Sequence, residues 1–499
     1  MKLDWRQYDI RWIAVAASLL LSVLTLLTQE IPNSDAYTYA RTAEIFLEFG
    51  LKAAYQHYSW ASYSILIGVV SWTGLDVFSA GLAVNAVFYA ILVYAYLSII
   101  KEINDSDSLL ILSAICILVY PQLNEYRELL IRDLGFWSLS LLALWHYLVY
   151  AKTQSMRSAL FFAGSLLIAA AFRAEALAYL ALTPLALLFD RRIENGARLL
   201  LLARLYAVVI SLSVGLLAFL ALMGLNVAQL FIEFASIYEP FVSGNFTLND
   251  DERALLGSLL FAEYAATFSR EYIEIFLLAG MIAILLANLF TALGGPYLIV
   301  LLVGWFNGKI RLPSHIKAAV LIYIGVNLII LLGFLLLTRY LSSRYAMLMC
   351  ILLVMFVPIT LHYILEAAKR TNQNSLRYIV GIFLCYCAID AYYSFGESKS
   401  YVKDSIEWLA QNTEDTAGLV TNNHAIAYFS GKVVDYDLIM RNLGEEEILN
   451  SEVGDTIAAE LTYETGKLLE TQSIANKLKL LASFPVSNEP RIVFFERIE

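Results

Sequence analysis

Apolar runs of membrane-spanning length recur over about the first four hundred residues of the chain, and no other feature restricts its fold as tightly. A hydrocarbon core about 30 Å thick takes roughly 20 apolar helical residues to cross. Within it, backbone N–H and C=O groups find partners only in helices or closed barrels. With 60% hydrophobic and 16% charged residues, the sequence reads as an α-helical polytopic membrane protein. Candidate spans are 11–28, 78–100, 108–121, 134–151, 158–172, 174–189, 199–224, 284–306, 316–337, 345–365 and 377–395, about 11 in all. Ile10 to Leu27 lacks a small-residue cleavage site and reads as a retained span, not a secretory signal. Residues 59–75 read as the return half of the first external loop. Between Glu252 and Asn307, apolar residues alternate with Glu263, Arg270, Glu271 and Glu274. A surface-lying helix followed by one span fits that stretch, because it keeps the basic cluster Lys309 to Lys317 inside.

Charge sets the orientation. Lys2, Arg6 and Arg11 lie at the start, and alternate connections then carry Lys101, Lys152, Arg157, Arg191, Arg192, Arg198, Lys309, Arg311, Lys317, Lys369, Arg370 and Arg377. The positive-inside rule places these, with the N-terminus, in the cytoplasm. The other connections hold Asp35, Glu44, Glu48, Glu125, Glu128, Asp133, Glu233, Glu239, Asp250, Asp251, Glu252, Glu263 and Glu271, so the acidic face is external. Composition turns ordinary and soluble after Phe395, which divides the chain into a membrane domain, 1–395, with a first external loop at 29–77, and a tail, 396–499. In the tail, SKSYVKDSIEWLAQN and HAIAYFSG have helical spacing, while AGLVTN, KVVDYD and RIVFFERI read as strands of a small α/β domain. Odd span parity puts that domain outside, in the periplasm of a bacterial inner membrane, where the Asn245-Phe246-Thr247 sequon carries no meaning. The net charge of −10 disfavours nucleic acid. Cys116, Cys350, Cys385 and Cys387 all sit in apolar runs and form neither a disulfide framework nor a metal site.

Asp35 stands directly behind the first span, in NSDAYTYARTAEIFLEFG. A segment carrying Asp35, Arg41, Glu44 and Glu48 cannot lie inside lipid, so it is expected on the outer membrane surface, with Tyr37, Tyr39, Ile45 and Phe46 as anchors. There the carboxylate suits a base acting on membrane-bound substrates. The alternative is a residue capping the helix that starts at Asn33 or Ser34. Asp133 opens the fourth span beside Arg132 in ELLIRD. An ion at that depth points to function, against the plainer reading of a water-interface marker, with Glu125 and Glu128 as competitors for its role.

These features together resemble the GT-C superfamily of membrane glycosyltransferases, the group of the protein O-mannosyltransferases and lipid A aminoarabinose transferases (family 39-like). The resemblance rests on DAYTYARTAEIFLEFG followed by YSILIGVVSWTGLDVFSAGLAVNAVFYA, then YPQLNEYRELLIRDLGFWSLSLLAL, FRAEALAYL, RYLSSRYAMLM and, in the tail, LVTNNHAIAYFSGKVV. It implies transfer of a sugar from a polyprenyl-phosphate donor to a cell-envelope glycan, lipid or protein, with inversion and no nucleotide sugar. Asp35 is then the base and Asp133 a second acid that positions a substrate. The departing phosphate needs positive charge, for which Arg173, Arg339 and Arg344 are candidates, since guanidinium forks match phosphate oxygens. Tyr345 would add a hydrogen bond. Arg339 and Arg344 could equally snorkel to lipid headgroups. Read as two apart on one helix, Arg173 and Glu175 face different ways, which argues against a private ion pair. His57, in YQHYSW, could touch sugar or acceptor, although a histidine among aromatics is more often structural. No cofactor or metal-ligand spacing is apparent, and a divalent cation would have to be shared among carboxylates. Rival readings are an oligosaccharide ligase or polymerase, a polyprenyl-lipid transporter or flippase, and a scaffold without activity. Against transport stands the lack of an internal repeat.

Overall fold

The computed structural model describes residues 9–28, 31–222, 249–261, 272–393, 400–413, 417–486 and 489–499, with scattered positions between 224 and 239. Lys2, Arg6, Glu233, Glu263, Arg270, Glu271, the sequon at Asn245 and the expected boundary near Gly396 lie outside the described residues. Among the described residues, eight helices are long and apolar enough to cross a membrane, or nine if the pair Asp107–Leu118 and Pro121–Arg127, bent by 56°, is one span. The chain is a multi-pass membrane protein. The bend falls where Pro121 starts the second helix and cannot donate a backbone hydrogen bond to the first. The expected spans 158–172 and 174–189 are the shorter apolar helices Met156–Ala170 and Ala176–Phe189.

The span expected at 284–306 is corrected. Helix Ile273–Leu293 is itself long enough to cross, and a separate helix, Gly295–Phe306, follows it. Gly294 between them has φ +76, left-handed backbone that glycine alone adopts freely. A Cβ at that position would also collide with the Gln122 side chain.

Packing divides the chain into two compact units: Met1–Leu20, Val87–Glu125 and Arg132–Tyr392 in one, and Leu21–Ala86, Tyr126–Ile131 and Tyr393–Glu499 in the other. The first is a helical bundle. The second joins the first external loop to the tail. In it, helix Ser34–Phe49 buries Ala36, Tyr37, Tyr39, Ala40 and Ala43, the stripe that a 3.6-residue period puts on one face. This corrects the reading of Tyr37 and Tyr39 as membrane anchors, since they are only 1% and 4% exposed. Tyr39 packs edge-on against Tyr63 at 5.0 Å, while Leu47 and Phe49 are the large apolar groups left open. Helix Ser62–Ser71 lies alongside, and Gly68 makes that possible, because a Cβ there would stand 2.6 Å from the Phe46 ring.

The tail forms a four-stranded sheet, β1 (Leu419–Thr421), β2 (Thr456–Glu460), β3 (Leu478–Phe484) and β4 (Ile492–Arg497), in the order β1-β2-β4-β3. β1 and β2 are parallel and the other pairs antiparallel. Alternate residues serve opposite faces, as a pleated strand requires: Ala458 and Phe494 join the core beneath helix Ser400–Asn412, and Ile457 and Ala459 the core on the other side. KVVDYD is not a strand but a turn. Its Tyr436 and Asp437 are instead committed to tertiary partners, Glu44 and His57, which a ladder position would not satisfy.

Candidate functional site

In the helical unit, Asp133 is the first residue of helix Asp133–Thr153 and only 3% exposed. Arg173 reaches it from the turn after helix Met156–Ala170, where the Arg173 amide donates to Ala169 O at 2.9 Å. Close approach of the two elements depends on Gly135. A Cβ there would meet the Phe172 ring at 2.8 Å, and Phe172 immediately precedes the arginine. Arg173 Nη1 donates to Asp133 Oδ1, while Nε and Nη2 donate to Glu175 Oε1 at 3.3 and 2.7 Å. The expectation that Arg173 and Glu175 face apart is thereby corrected: residues 171–175 form a turn, not a helix, and the turn folds the carboxylate back onto the guanidinium.

Tyr345 completes the cluster. Arg173 lies 4.4 Å over its ring and Arg344 5.5 Å from it, both within the range of cation–π attraction. The ring itself stacks on Phe334 at 5.3 Å. The charges of Arg173, Arg344 and Arg132 all act on Asp133. Arg173, Arg344 and Arg132 thus bring positive charge to a cluster that holds the Asp133 and Glu175 carboxylates. Three donors of Arg173 are committed to acids, and Arg344 beside it is half-buried. Arg339 is elsewhere: it ends helix Ser314–Thr338 in left-handed backbone and edges a separate cavity of 290 Å³ with Glu274. Glu125 and Glu128 are exposed.

In the loop-and-tail unit, Asp35 sits half-buried in the first turn of helix Ser34–Phe49. It is not the cap. Asn33 holds that position, and its side chain instead exchanges two hydrogen bonds with Leu130, Nδ2 to O at 3.2 Å and Oδ1 from N at 2.8 Å. The helix start is thus fixed from outside while Asp35 keeps the favourable charge position of an N-terminus. Tyr37, two residues on, stacks against His424 and packs with Phe78, Tyr428 and Tyr436. Tyr436 donates to Glu44 Oε2 at 2.9 Å, and burial together with that carboxylate pushes the phenol well above its ordinary pKa. His57, a candidate for substrate contact, pairs with Asp437 Oδ2 at 2.8 Å. Beside this cluster lies a cavity of 740 Å³ with Ser34, Tyr37, Tyr401, His424, Arg441 and Glu460 on its wall. Among the described residues, no three His, Cys, Asp or Glu side chains group as a metal site.

No protein-family model and no curated protein matches the sequence. Solved structures do match. The oligosaccharyltransferase of Archaeoglobus fulgidus, crystallised with zinc and sulfate, superposes with a TM-score of 0.55 at 12% identity, over 98% of this chain and 73% of that one. ArnT from Cupriavidus metallidurans, bound to undecaprenyl phosphate, does so with a TM-score of 0.54 at 11% identity, over 97% of each chain. The chain has the GT-C fold.

Within that fold, DAYTYARTAEIFLEFG supplies the loop helix, RDLGF the entry to the Asp133 helix, and RAEALAYL the turn that pairs Arg173 with Glu175. Sequence reasoning overlooked Gly135 and Phe172, whose contact seats Arg173. A glycine two residues after an acid at a span entry was the available signal. It also overlooked Arg127, only 3% exposed, with Nη1 donating to Ser22 at 2.7 Å.

Proposed function

We propose that this GT-C protein is a glycosyltransferase that moves a sugar from a polyprenyl-phosphate donor to a hydroxyl of a cell-envelope glycan, lipid or protein, at the periplasmic face of a bacterial inner membrane. The observation that carries the reading is the fold match over 97% of both chains to a transferase bound to undecaprenyl phosphate.

The acceptor O–H gives its proton to the Asp35 carboxylate, its oxygen bonds to the anomeric carbon, and the carbon–oxygen bond to phosphate breaks with inversion. General-base catalysis of this kind contributes about 10²- to 10⁴-fold. Arg344, with Tyr345, meets the charge of the departing lipid phosphate. Arg173 holds Asp133 and Glu175 in place, and Asp133 orients substrate. The mixed aromatic, Arg441 and Glu460 wall of the 740 Å³ cavity suits a hydroxylated acceptor.

The test is transfer of radiolabelled sugar from a panel of polyprenyl-phosphate donors in membranes bearing the full chain, wild type against Asp35→Asn at equal expression. The expected result is transfer by the wild type and a loss of at least about 10²-fold in the variant. Equal transfer by both would remove Asp35 from the chemistry. Use of a nucleotide sugar with no use of lipid-linked donor would overturn the mechanism.

A further inference from the structure

We propose that a basic cavity at the foot of helix Ser314–Thr338 binds the phosphate of an anionic glycerophospholipid. The cavity measures 650 Å³ and belongs to the helical unit. Arg191, Arg198 and Lys317 line it, no carboxylate does, and Phe189, Leu321 and Ile322 form its apolar side. A run of cations is ordinarily a solvated face, so the argument rests on how these three are held.

Asp190, next to Arg191 in sequence, is already committed, and Glu194, four residues before Arg198, is exposed and does not line the cavity. Asp190, 2% exposed, accepts from Arg192 Nε at 3.0 Å and Nη2 at 2.7 Å, and so neutralises Arg192 alone. Among the described residues, Arg191 and Lys317 have no ion pair. Arg198 is anchored: Nε donates to Ile193 O at 2.7 Å and Nη1 to Leu188 O at 3.3 Å, which leaves Nη2 for a ligand. Two long helices also begin here. Arg198 is in the first turn of Asn195–Leu222, and Ser314 and Lys317 are in the first turn of Ser314–Thr338. Their positive ends add to the three side chains.

The apolar side decides between a free anion and a lipid. Phe189 and Leu321 are 63% and 54% exposed, and Leu328, Ile329 and Leu336 continue the exposed stripe from Leu321 along the same span. A headgroup phosphate among the cations would thus lie over a track for its acyl chain. Basic pockets between membrane helices take anionic headgroups for the same reason.

The experiment reconstitutes the full chain in phosphatidylcholine nanodiscs containing a minority of phosphatidylglycerol and counts, by native mass spectrometry, which lipids stay bound. The wild type should retain phosphatidylglycerol in excess of its share. The double variant Arg191→Gln/Lys317→Gln should lose that preference by roughly fivefold per cation, about 25-fold together. A control, Lys369→Gln/Arg370→Gln, should keep it. Both pairs are exposed, so folding is not at stake. Equal enrichment in wild type and the double variant would overturn the proposal, as would an equal loss in the control. Displacement of the lipid by millimolar inorganic phosphate would assign the cavity to a free anion instead.

Discussion

Arg173→Gln is the substitution the charge cluster constrains most. The arginine is the shared partner of Asp133 and Glu175, whose side chains are 4% and 10% exposed. Removing it strands two nearly dry carboxylates, whereas Asp133→Asn leaves Arg173 its bond to Glu175. Breaking a buried pair from one side costs about 3–5 kcal/mol. Because Arg132 and Arg344 also act on Asp133, the low end, about 3 kcal/mol, is expected for Arg173→Gln. A cost of about 1.5 kcal/mol, the low end for a hydrogen bond between charged groups, is expected for Asp133→Asn, because Arg173 keeps its bond to Glu175. The double variant should cost less than the sum, with a coupling of about 1–3 kcal/mol. Reversible unfolding of the full chain in mixed micelles, followed by circular dichroism against denaturing detergent, gives all four corners of the cycle. Equal costs for the two single variants, or additivity within about 0.5 kcal/mol, would refute the reasoning.

Other outcomes can be checked in the same preparation. The Tyr37 hydroxyl is buried without a hydrogen-bond partner among the described residues, and an unsatisfied buried group costs about 1–3 kcal/mol. Tyr37→Phe should therefore leave stability unchanged or raise it by about 1 kcal/mol, and a clear loss would mean that the hydroxyl has a partner. Burial opposes ionisation of Asp190, but hydrogen bonds from the Arg192 amide and guanidinium outweigh it and hold the carboxyl below its usual range. A lowered folded-state value gives stability that is present above the unfolded pKa of about 4 and is lost as pH falls through the lower folded value. Asp190→Asn should thus unfold at lower temperature than wild type at pH 7, with the gap closing below about pH 4. A gap of the same size at pH 7 and pH 3 would contradict this assignment.

How much of this was legible in sequence follows from the range of the interactions involved. Spans such as 199–224 and 316–337 declare themselves through local hydropathy, and helix Ser400–Asn412 through its 3.6-residue stripe. The break at Gly294 was visible as GGP, yet a window average runs straight across it. Strands β2 and β3 were missed because TIAAE is short and LKLLASF carries helix-forming residues. Their pairing with β4, a long-range property, decides their state. Asp133 and Arg173 were both named, but their bond links residues forty apart through a glycine-permitted contact that no local pattern encodes. Tyr37 looked like an interfacial aromatic because its true neighbours, His424 and Tyr436, are almost four hundred residues away.

The hydrogen bonds from Tyr436 to Glu44 and between His57 and Asp437 bear on how the tail can be studied. They make it a mould for the loop helix that presents Asp35. A chain cut after residue 393 would open Tyr37 to water and strip Glu44 and His57 of those contacts. Its loss of activity would then report a collapsed loop as readily as a lost acceptor. Whether the tail selects an acceptor is better asked at Arg441 and Tyr463, exposed side chains on the cavity wall that can be changed while the mould stays whole.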